Sequence, residues 1–476
     1  MERCPLRLTT GGALAALILT GCSSSPFKDI PAREPGAAQV RLWSEANRDE
    51  PRTGRDDVVL PVLGSGSALV DYLLYAGLNN PGLEAAFQRF RAAAERLPQA
   101  RALPDPRLTF GAYLQEVETA AGPMNSKVGI AQTFPWFGRL QDQEDAAARD
   151  ANAAWQRYQA EKLDLFERVT AAVYELRYLY QAIRITEENL ELLRQFEQVV
   201  LARFRVDAAD HPDVIRIQVE LGALEDRLAQ LNQIRDPYTS RLNAALNRPV
   251  NAELPWPGEL PAELYTGTAD ELFSLVRENN PRLLALAEEV ERERELAEIA
   301  RKQGLPDLTV GLDFTFVGDD APNPGFSESG KDPVLLSFSL NLPLDRSKYA
   351  AAVREAVARR MSIASARAEQ TNRLGADLRQ ALFEHVDAER RVELYENTLI
   401  PKATESMQAS LAGFRTGDSD FLDVLDTERT LLEFQLALER AIADRAVSLA
   451  KLERLTGADL ETNPAGGAPK GVEDNR

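Results

Sequence analysis

The chain has 476 residues, enough for two or three ordinary domains or for one elongated domain. Its 74 acidic residues outnumber its 55 basic residues, and the formal net charge is -19. This charge argues against a nucleic-acid partner, which needs a basic surface, and it fits a self-repelling or cation-attracting surface.

The N-terminus has the features of a bacterial lipoprotein signal. Arg3 and Arg7 supply positive charge ahead of an apolar run at residues 13–19, which is too short to span a bilayer. Small residues then precede Cys22 in the sequence LTGC. In such signals the cysteine is lipidated and becomes the first residue of the mature chain. The alternative is an ordinary signal peptide with an incidental cysteine.

Cleavage at this site defines a signal peptide of residues 1–21 and a lipidated, extended segment over residues 22–67. It also removes Cys4, so that the one cysteine left is acylated and no disulfide or cysteine-based metal site is expected. Ser23 rather than Asp follows the lipidated position, which in such proteins usually means sorting to the outer membrane. No later segment holds 18 or more apolar residues, so no transmembrane helix is predicted.

Four short motifs occur twice, in the same order. They are NNP at 79–81 and 279–281, LPD at 103–105 and 305–307, LARFR at 201–205 with LAGFR at 411–415, and Asp213-Val214 with Asp423-Val424. Repeats of this length indicate a duplicated domain. We place the first copy at residues 68–258, a linker at 259–265 and the second copy at 266–458, and we expect 459–476 to be a flexible tail.

Each copy begins with a helical stretch, at 68–102 or 268–303, that ends at LPD. After two strand-like runs, a long helical stretch follows at about 138–206 or 345–416, and a second helix then closes the copy. The stretch 138–206 contains no proline and would be on the order of 100 Å long. Its apolar residues follow the alternating three-and-four spacing of a coiled coil: Phe166, Val169, Val173, Leu176, Tyr180 and Ile183.

The strand-like runs alternate apolar and polar residues, most clearly at 308–316 and 336–344. A half-buried soluble sheet would show this pattern too. Four strands of about ten residues with turns rich in Gly, Pro, Asn and Asp also match membrane-barrel strands. Four strands cannot close a barrel, because the smallest membrane barrels have about eight and an open edge in lipid leaves backbone groups unpaired. Strands that enter a membrane would therefore be pooled from several chains.

Over residues 68–458 the chain resembles the outer-membrane efflux protein family, the TolC-like channel-tunnels. The paired motifs carry the resemblance, together with the stretch 414–435, which reads FRTGDSDFLDVLDTERTLLEFQ and looks like the family's helix–turn–helix signature. The resemblance implies a homotrimer that is mainly α with a small β part. Long antiparallel coiled-coil helices form an α-barrel across the periplasm, and four β-strands per chain contribute to a 12-strand outer-membrane β-barrel.

The function that this resemblance implies is a passive export duct that docks to a periplasmic adaptor and an inner-membrane pump. The exported substrate could be a drug, a metal ion or a secreted protein, and the sequence does not distinguish among these classes. The alternative is a periplasmic coiled-coil lipoprotein with a scaffolding or tethering role, which has no need of four amphipathic strands. An enzyme or a cofactor is not predicted, since the sequence lacks a phosphate loop, zinc-ligand spacing and G-x-S-x-G. His211 and His385 are expected to be ordinary surface or turn residues.

The resemblance also places the periplasmic tip, where the adaptor would bind, at the two helical turns. The residues assigned to this contact are Phe204, Arg205, Asp213, Phe414, Arg415, Gly417 and Ser419. The two turns are not equivalent, because the first lacks the glycine and has Arg216 where the second has Asp426.

Asp423 and Asp426 are the residues singled out for selectivity. They lie one turn apart on one helix face, and in a trimer six such carboxylates would ring the pore and attract cations. The alternative is that they belong to the helix start, where Asp418, Ser419 and Asp420 look like capping residues and Asp423 would interact favourably with the helix dipole.

Replacing Cys22 tests the anchor. Cys22→Ala should abolish lipidation because it removes the acylated thiol, and assembly should be reduced rather than lost because the strands can still insert. Metabolic labelling with a palmitate analogue measures this, and the control Cys4→Ala should keep its label. Label retained on the Cys22→Ala protein would contradict the lipoprotein assignment.

Overall fold

The computed structural model describes residues 60–119, 121–206, 209–258, 260, 263–265, 267–318, 331–460 and 462–464. The expected signal peptide and Cys22 lie outside the described residues. Within these ranges the chain builds the same order of helices and strands twice, as the repeated motifs predict.

The first repeat contains α1 (Leu69–Asn79), α2 (Pro81–Ala94), α3 (Arg96–Arg101), β1 (Arg107–Val117), β2 (Met124–Phe134), α4 (Arg139–Phe204) and α5 (His211–Ala245). The second contains β3 (Glu263–Tyr265), α6 (Ala269–Asn279), α7 (Pro281–Gln303), β4 (Leu308–Val317), β5 (Val334–Leu340), α8 (Arg346–Leu394), α9 (Ile400–Thr416), α10 (Phe421–Thr456) and β6 (Thr462–Pro464). The predicted fold class, mainly helical with four long strands and long antiparallel helices, is confirmed.

The opening stretch of each repeat is helical, as predicted, and the NNP motif interrupts it at Asn80 or Asn280. Proline is tolerated at the first position of α2 and α7 but excludes the preceding residue from the helix. Asn80 and Asn280 therefore have extended backbones and cap the helices that follow. Their amides also donate to the last turns of distant helices, from Asn80 Nδ2 to Ala245 O at 2.9 Å and from Asn280 Nδ2 to Leu455 O at 2.7 Å. The motif recurs because each copy fastens its closing helix in this way.

The four long strands form one antiparallel sheet in the order β1-β2-β4-β5, so that the pairing of β2 with β4 joins the two repeats. Its register aligns apolar residues of all four strands on one face, as in the row Leu108, Ile130, Leu312 and Leu336. This face is exposed in the single chain. Its exposed members are Leu108, Phe110, Ile130, Leu312, Phe314, Phe316, Leu336, Phe338 and Leu340.

The opposite face of the sheet is mostly small and polar. Lys127 pairs with Asp313 at 3.3 Å, and the hydroxyls of Thr133 and Thr309 are 2.9 Å apart. Gly129 lies opposite Asp313, where a Cβ atom would come within 2.1 Å of the carboxylate. The sheet therefore has one lipophilic and one hydrophilic surface, as the alternating pattern predicts.

The long helices pack side by side. Helix α7 lies between α4 and α8, and α10 also contacts both α4 and α8. In the first repeat, α2 and α3 pack against α4, and α5 packs mainly against α4. Helices α2 and α5 thus have fewer neighbours within the chain than their counterparts α7 and α10, whereas α4 has more than its counterpart α8.

A five-residue π-helical turn, Tyr395–Leu399, separates α8 from α9, whereas α4 is continuous. The sequence AVYE at residues 172–175 matches ALFE at 381–384, and LARFR at 201–205 matches LAGFR at 411–415. The interval between these motifs is one residue longer in the second copy. A π-turn accommodates one extra residue inside an α-helix. The residues of α9 that follow it therefore occupy positions equivalent to those of the matching residues in α4.

The short strands β3 and β6 pair with each other, which joins the predicted linker to the predicted C-terminal tail. His385 supports this pair, because its Nε2 accepts the backbone N–H of Tyr265 at 3.3 Å. Its Nδ1 lies 3.3 Å from Arg445 O and 3.1 Å from Ser448 Oγ. His385 is therefore buried, contrary to its expected place at the surface, and burial lowers its pKa.

Across the described ranges, the structure contains no helix with the length and apolarity needed to cross a membrane.

The side chain of Asn280 should contribute more to the stability of the fold than the side chain of Asn279. Asn280→Ala removes a helix cap, about 1 kcal/mol, and leaves the Leu455 carbonyl without its donor, about 1–3 kcal/mol. The free energy of unfolding should fall by about 2–4 kcal/mol. Thermal melting followed by far-ultraviolet circular dichroism measures the change. Asn279→Ala is the matched control, because the Asn279 side chain bonds to no described residue, and equal loss in both variants would contradict the assignment.

Candidate functional site

The two helical turns that the sequence analysis singled out lie at the same end of the molecule. The first joins α4 to α5, and the second joins α9 to α10. One apolar cluster packs beneath both turns, with Val200 from α4, Val214 and Ile217 from α5, and Phe414 and Phe421 on either side of the second turn. The structure thus brings together the residues assigned to the tip.

The second turn has a backbone that its sequence requires. Gly417 has φ 89°, a left-handed conformation that ends α9. Asp420 then caps α10, since its Oδ1 accepts the Phe421 N–H at 2.6 Å. Asp423 Oδ2 accepts the Asp420 N–H at 3.3 Å, which completes a capping box. Ser419 packs against Gly413, where a Cβ atom would come within 2.1 Å of the hydroxyl.

The two selectivity candidates therefore differ in their contacts. Both Asp423 and Asp426 are exposed in the single chain. Asp423 makes the helix-start contact that the capping alternative requires. Asp426 forms no side-chain hydrogen bond or ion pair with any residue that the structure describes, so its carboxylate faces solvent. The capping role explains Asp423, whereas the interaction seen for the Asp426 carboxylate among the described residues is its charge acting on Arg429, one helical turn later.

The first turn has one acid that is paired with an arginine. Asp213 pairs with Arg216 at 3.2 Å, one helical turn away, so its charge is compensated. Phe204 packs against the ring of His211 at 5.8 Å, and Arg205 is exposed. His211 begins α5, as expected of a turn residue. Asp210 is exposed and forms no side-chain hydrogen bond or ion pair with a described residue, so each turn carries an open carboxylate, and the two turns differ at Arg216 and Asp426.

An arginine that the sequence analysis did not select joins the two turns. Arg203, at the end of α4, donates from Nη1 to the carbonyl of Phe414. Its guanidinium also lies 4.3 Å from the centre of the Phe414 ring. The two copies of the repeated motif differ at this position, since LARFR has Arg203 where LAGFR has Gly413. This difference is the sequence signal that could have identified Arg203.

A second link, also not expected from the sequence, joins α5 to α10. Arg429 on α10 donates to the Glu220 carboxylate on α5. Beside it, Glu428 is buried, and Glu428 Oε1 has no hydrogen-bond partner among the described residues. Burial, reinforced by the nearby Glu220 charge, raises the pKa of Glu428 to about 7. Periodicity alone could not identify this residue, since α10 carries many other acids.

The described part of the chain contains no group of three or more His, Cys, Asp or Glu side chains placed to hold a metal ion.

Comparisons with known proteins identify one family. The family model described as outer membrane efflux protein matches residues 75–248 and 272–458, one segment in each repeat. Each match covers helices on both sides of the strands, so both repeats follow the family's pattern.

Individual relatives agree with this match. The chain is 22% identical to the cobalt-zinc-cadmium resistance protein CzcC of Cupriavidus metallidurans over 81% of this chain and 88% of that protein. It is 23% identical to the outer membrane protein TolC of Vibrio cholerae, over 80% and 88%. A crystal structure of CusC, described in connection with folding and transmembrane channel formation, superposes with a TM-score of 0.70 at 14% identity, over 82% of this chain and 92% of that one. At this identity the structural likeness shows the fold.

Proposed function

The chain belongs to the outer membrane efflux protein family, and from this premise we propose that it is the outer-membrane duct of a tripartite export system. In this proposal three copies form a homotrimer that is anchored by lipid at Cys22 and extends into the periplasm. Substrate enters passively from a periplasmic adaptor and an inner-membrane pump and leaves outside the cell. The chain itself performs no enzymatic step.

The observation that carries the proposal is the four-stranded sheet. One of its faces is apolar and exposed in the single chain, which suits contact with lipid. Its outer strands β1 and β5 have no further partner among the described residues. In lipid, each unpaired backbone group would cost several kcal/mol. Pairing β5 of one copy with β1 of the next removes both edges, and three copies give twelve strands.

The exposed fractions of equivalent side chains in the two repeats support a contact between the helices of neighbouring copies of the chain. Tyr174 on α4 is 5% exposed, whereas Phe383, its counterpart on α8, is 65% exposed. Leu425 on α10 is 3% exposed, whereas Ile215, its counterpart on α5, is 46% exposed. Within the chain, α4 and α10 contact each other. The exposed faces of α8 and α5 therefore fit each other between neighbouring copies in the same way.

The domain division follows from the same repeat. The family matches at 75–248 and 272–458 lie inside the proposed copies at 68–258 and 266–458. Each copy then supplies one strand pair and one helical hairpin, so three chains give a tube with six similar units. The alternative, a periplasmic scaffold, offers no use for the exposed apolar face of the sheet.

The helical turns form the periplasmic entrance in this proposal. The adaptor would contact the surface of the two turns at Phe204, Arg205, Asp213, Arg415, Gly417 and Ser419, beneath which the side chain of Phe414 is buried. Asp423 and Asp426 would project into the lumen, where three copies of each form a ring of like charge. Asp426 supports this assignment more strongly than Asp423, because its exposed carboxylate forms no hydrogen bond or ion pair with a described residue.

Neutralising the acidic ring tests the entrance. Asp423→Asn with Asp426→Asn should lower cation selectivity and weaken block by polyvalent cations, because the attracting charge is lost. Currents through the purified channel in a planar bilayer measure both effects. Arg216→Gln, which changes a charge on the other turn, should affect the block much less. Wild-type block and selectivity in the double variant would show that the two carboxylates serve only the helix start.

Cross-linking tests the proposed contact between copies. Within the chain, Glu175 on α4 pairs with Arg440 on α10 at 2.9 Å. The repeat places Glu384 on α8 and Gln230 on α5 at the equivalent positions. Gln230→Cys with Glu384→Cys, treated with a short bis-maleimide, should give covalent dimers and trimers on a denaturing gel.

The matched control for this pair is Glu175→Cys with Arg440→Cys. Its cysteines lie in one chain, so the same reagent should leave the mass at that of a monomer. Only monomers from the Gln230 and Glu384 pair, under conditions in which both cysteines react with a monofunctional maleimide, would contradict the proposed interface.

A further inference from the structure

Glu428 is a buried acid near the proposed entrance. It lies on α10 and is 1% exposed, and the neighbouring Leu425 and Leu432 belong to the apolar cluster that α10 shares with α4 and α5. One of its carboxylate oxygens has no hydrogen-bond partner among the residues described. Burial without a partner strongly disfavours the charged form of a carboxyl group, so this position favours the neutral acid.

The charged groups around Glu428 leave it without a cation of its own. Glu220 faces it from α5, and Arg429 follows it on α10, but Arg429 is bound to Glu220. Arg429 is thus the one nearby cation for both Glu220 and Glu428 among the described residues. An ionised Glu428 would place two carboxylates and one cation at the contact between α5 and α10.

Several other charged side chains on the surrounding helices are engaged elsewhere. From α4, Arg194 pairs with Glu225 at 3.1 Å, and Glu197 accepts a hydrogen bond from Gln218 at 3.4 Å. On α9, the two charges nearest its start pair with each other: Lys402 and Glu405, at 2.8 Å. The charge of Glu428 is therefore set mainly by burial, by Glu220 and by Arg429.

We propose that Glu428 is a positioning residue of the entrance, which holds α10 against α5 while it is protonated and releases that contact when it loses its proton. Release would let the second turn, with Asp423 and Asp426, move away from the first. This inference rests on the proposed function, and it adds control of the entrance by pH. The site responsible is one side chain packed between two helices, not the acidic ring itself.

The direction of the response follows from proton linkage. The pKa of Glu428 is raised from its ordinary value of 4.5 to about 7 in the packed state. The packed state therefore binds the proton more tightly than a state in which Glu428 reaches water. The α5–α10 contact is fully stabilised below the ordinary pKa and is weakened as the pH rises through about 7. Acid favours the packed state, and mild alkali favours its release.

The first repeat has an uncharged residue at the position equivalent to Glu428. Counted from the shared Asp-Val motif, Gln218 on α5 is the counterpart of Glu428 on α10. Glutamine has nearly the same shape as glutamic acid and cannot lose a proton. Glu428→Gln is therefore expected to keep the packed contact at every pH. Glu433→Gln, which neutralises an exposed acid of the same helix, is the matched control.

Two readouts on the full-length protein test the proposal. The first is the open fraction of the purified channel in a planar bilayer between about pH 5 and about pH 8, spanning the ordinary and the raised pKa. The ratio of open to closed channels should rise with pH, by at most about tenfold per pH unit for a single proton. The second is the distance between spin labels at Val219→Cys on α5 and Leu422→Cys on α10, both exposed positions. This distance should lengthen over the same range.

Both responses should disappear in Glu428→Gln and persist in Glu433→Gln. Glu220→Gln removes the facing charge, so it should shift the midpoint to lower pH without abolishing the response. A pH response unchanged in Glu428→Gln, or a midpoint unchanged in Glu220→Gln, would overturn the proposal. Absence of any current through the wild-type protein would count against the proposed function, and the spin-label distances, measured in detergent, would still decide the role of Glu428.

Discussion

The constraint on which this architecture depends is the pairing of backbone groups at the edges of a four-stranded sheet. The sheet has an apolar face suited to lipid, but its two outer strands leave one row of N–H and C=O groups each without a partner in the described chain. Water could satisfy these groups in a soluble protein, whereas a bilayer cannot. The strands can therefore serve a membrane only when several copies close the sheet, and closure in turn fixes the symmetry of the attached helices.

The duplicated sequence makes such a closed arrangement possible from one gene product. Each copy folds a strand pair and a helical hairpin, and each fastens its closing helix through the asparagine of NNP. The copies also differ in several features. The second repeat has a π-turn, an acidic turn and the buried Glu428, and the first has Arg203 and the Asp213–Arg216 pair. The two hairpins at the entrance are thus alike in packing and unlike in charge.

Much of the fold could be predicted from the sequence, because its signals are local. Period-2 alternation identified the strands, proline and glycine marked the turns, and the coiled-coil spacing identified α4. The break at NNP was not predicted, although proline disfavours a helical conformation for the residue before it. The burial of His385 and Glu428 could not be predicted, because it depends on which helices become neighbours. Capping by Asp423 was anticipated as an alternative, and the structure contains that contact.

Closure of one sheet by three copies of this chain is the proposal on which the others depend. Native mass spectrometry of the full-length mature protein, purified from outer membranes and released from detergent in the instrument, tests it most directly. We expect a single dominant species with the mass of three lipidated chains, which dissociates to monomers only when the protein is unfolded. A folded monomer as the dominant species, with the strands still in their sheet, would contradict it.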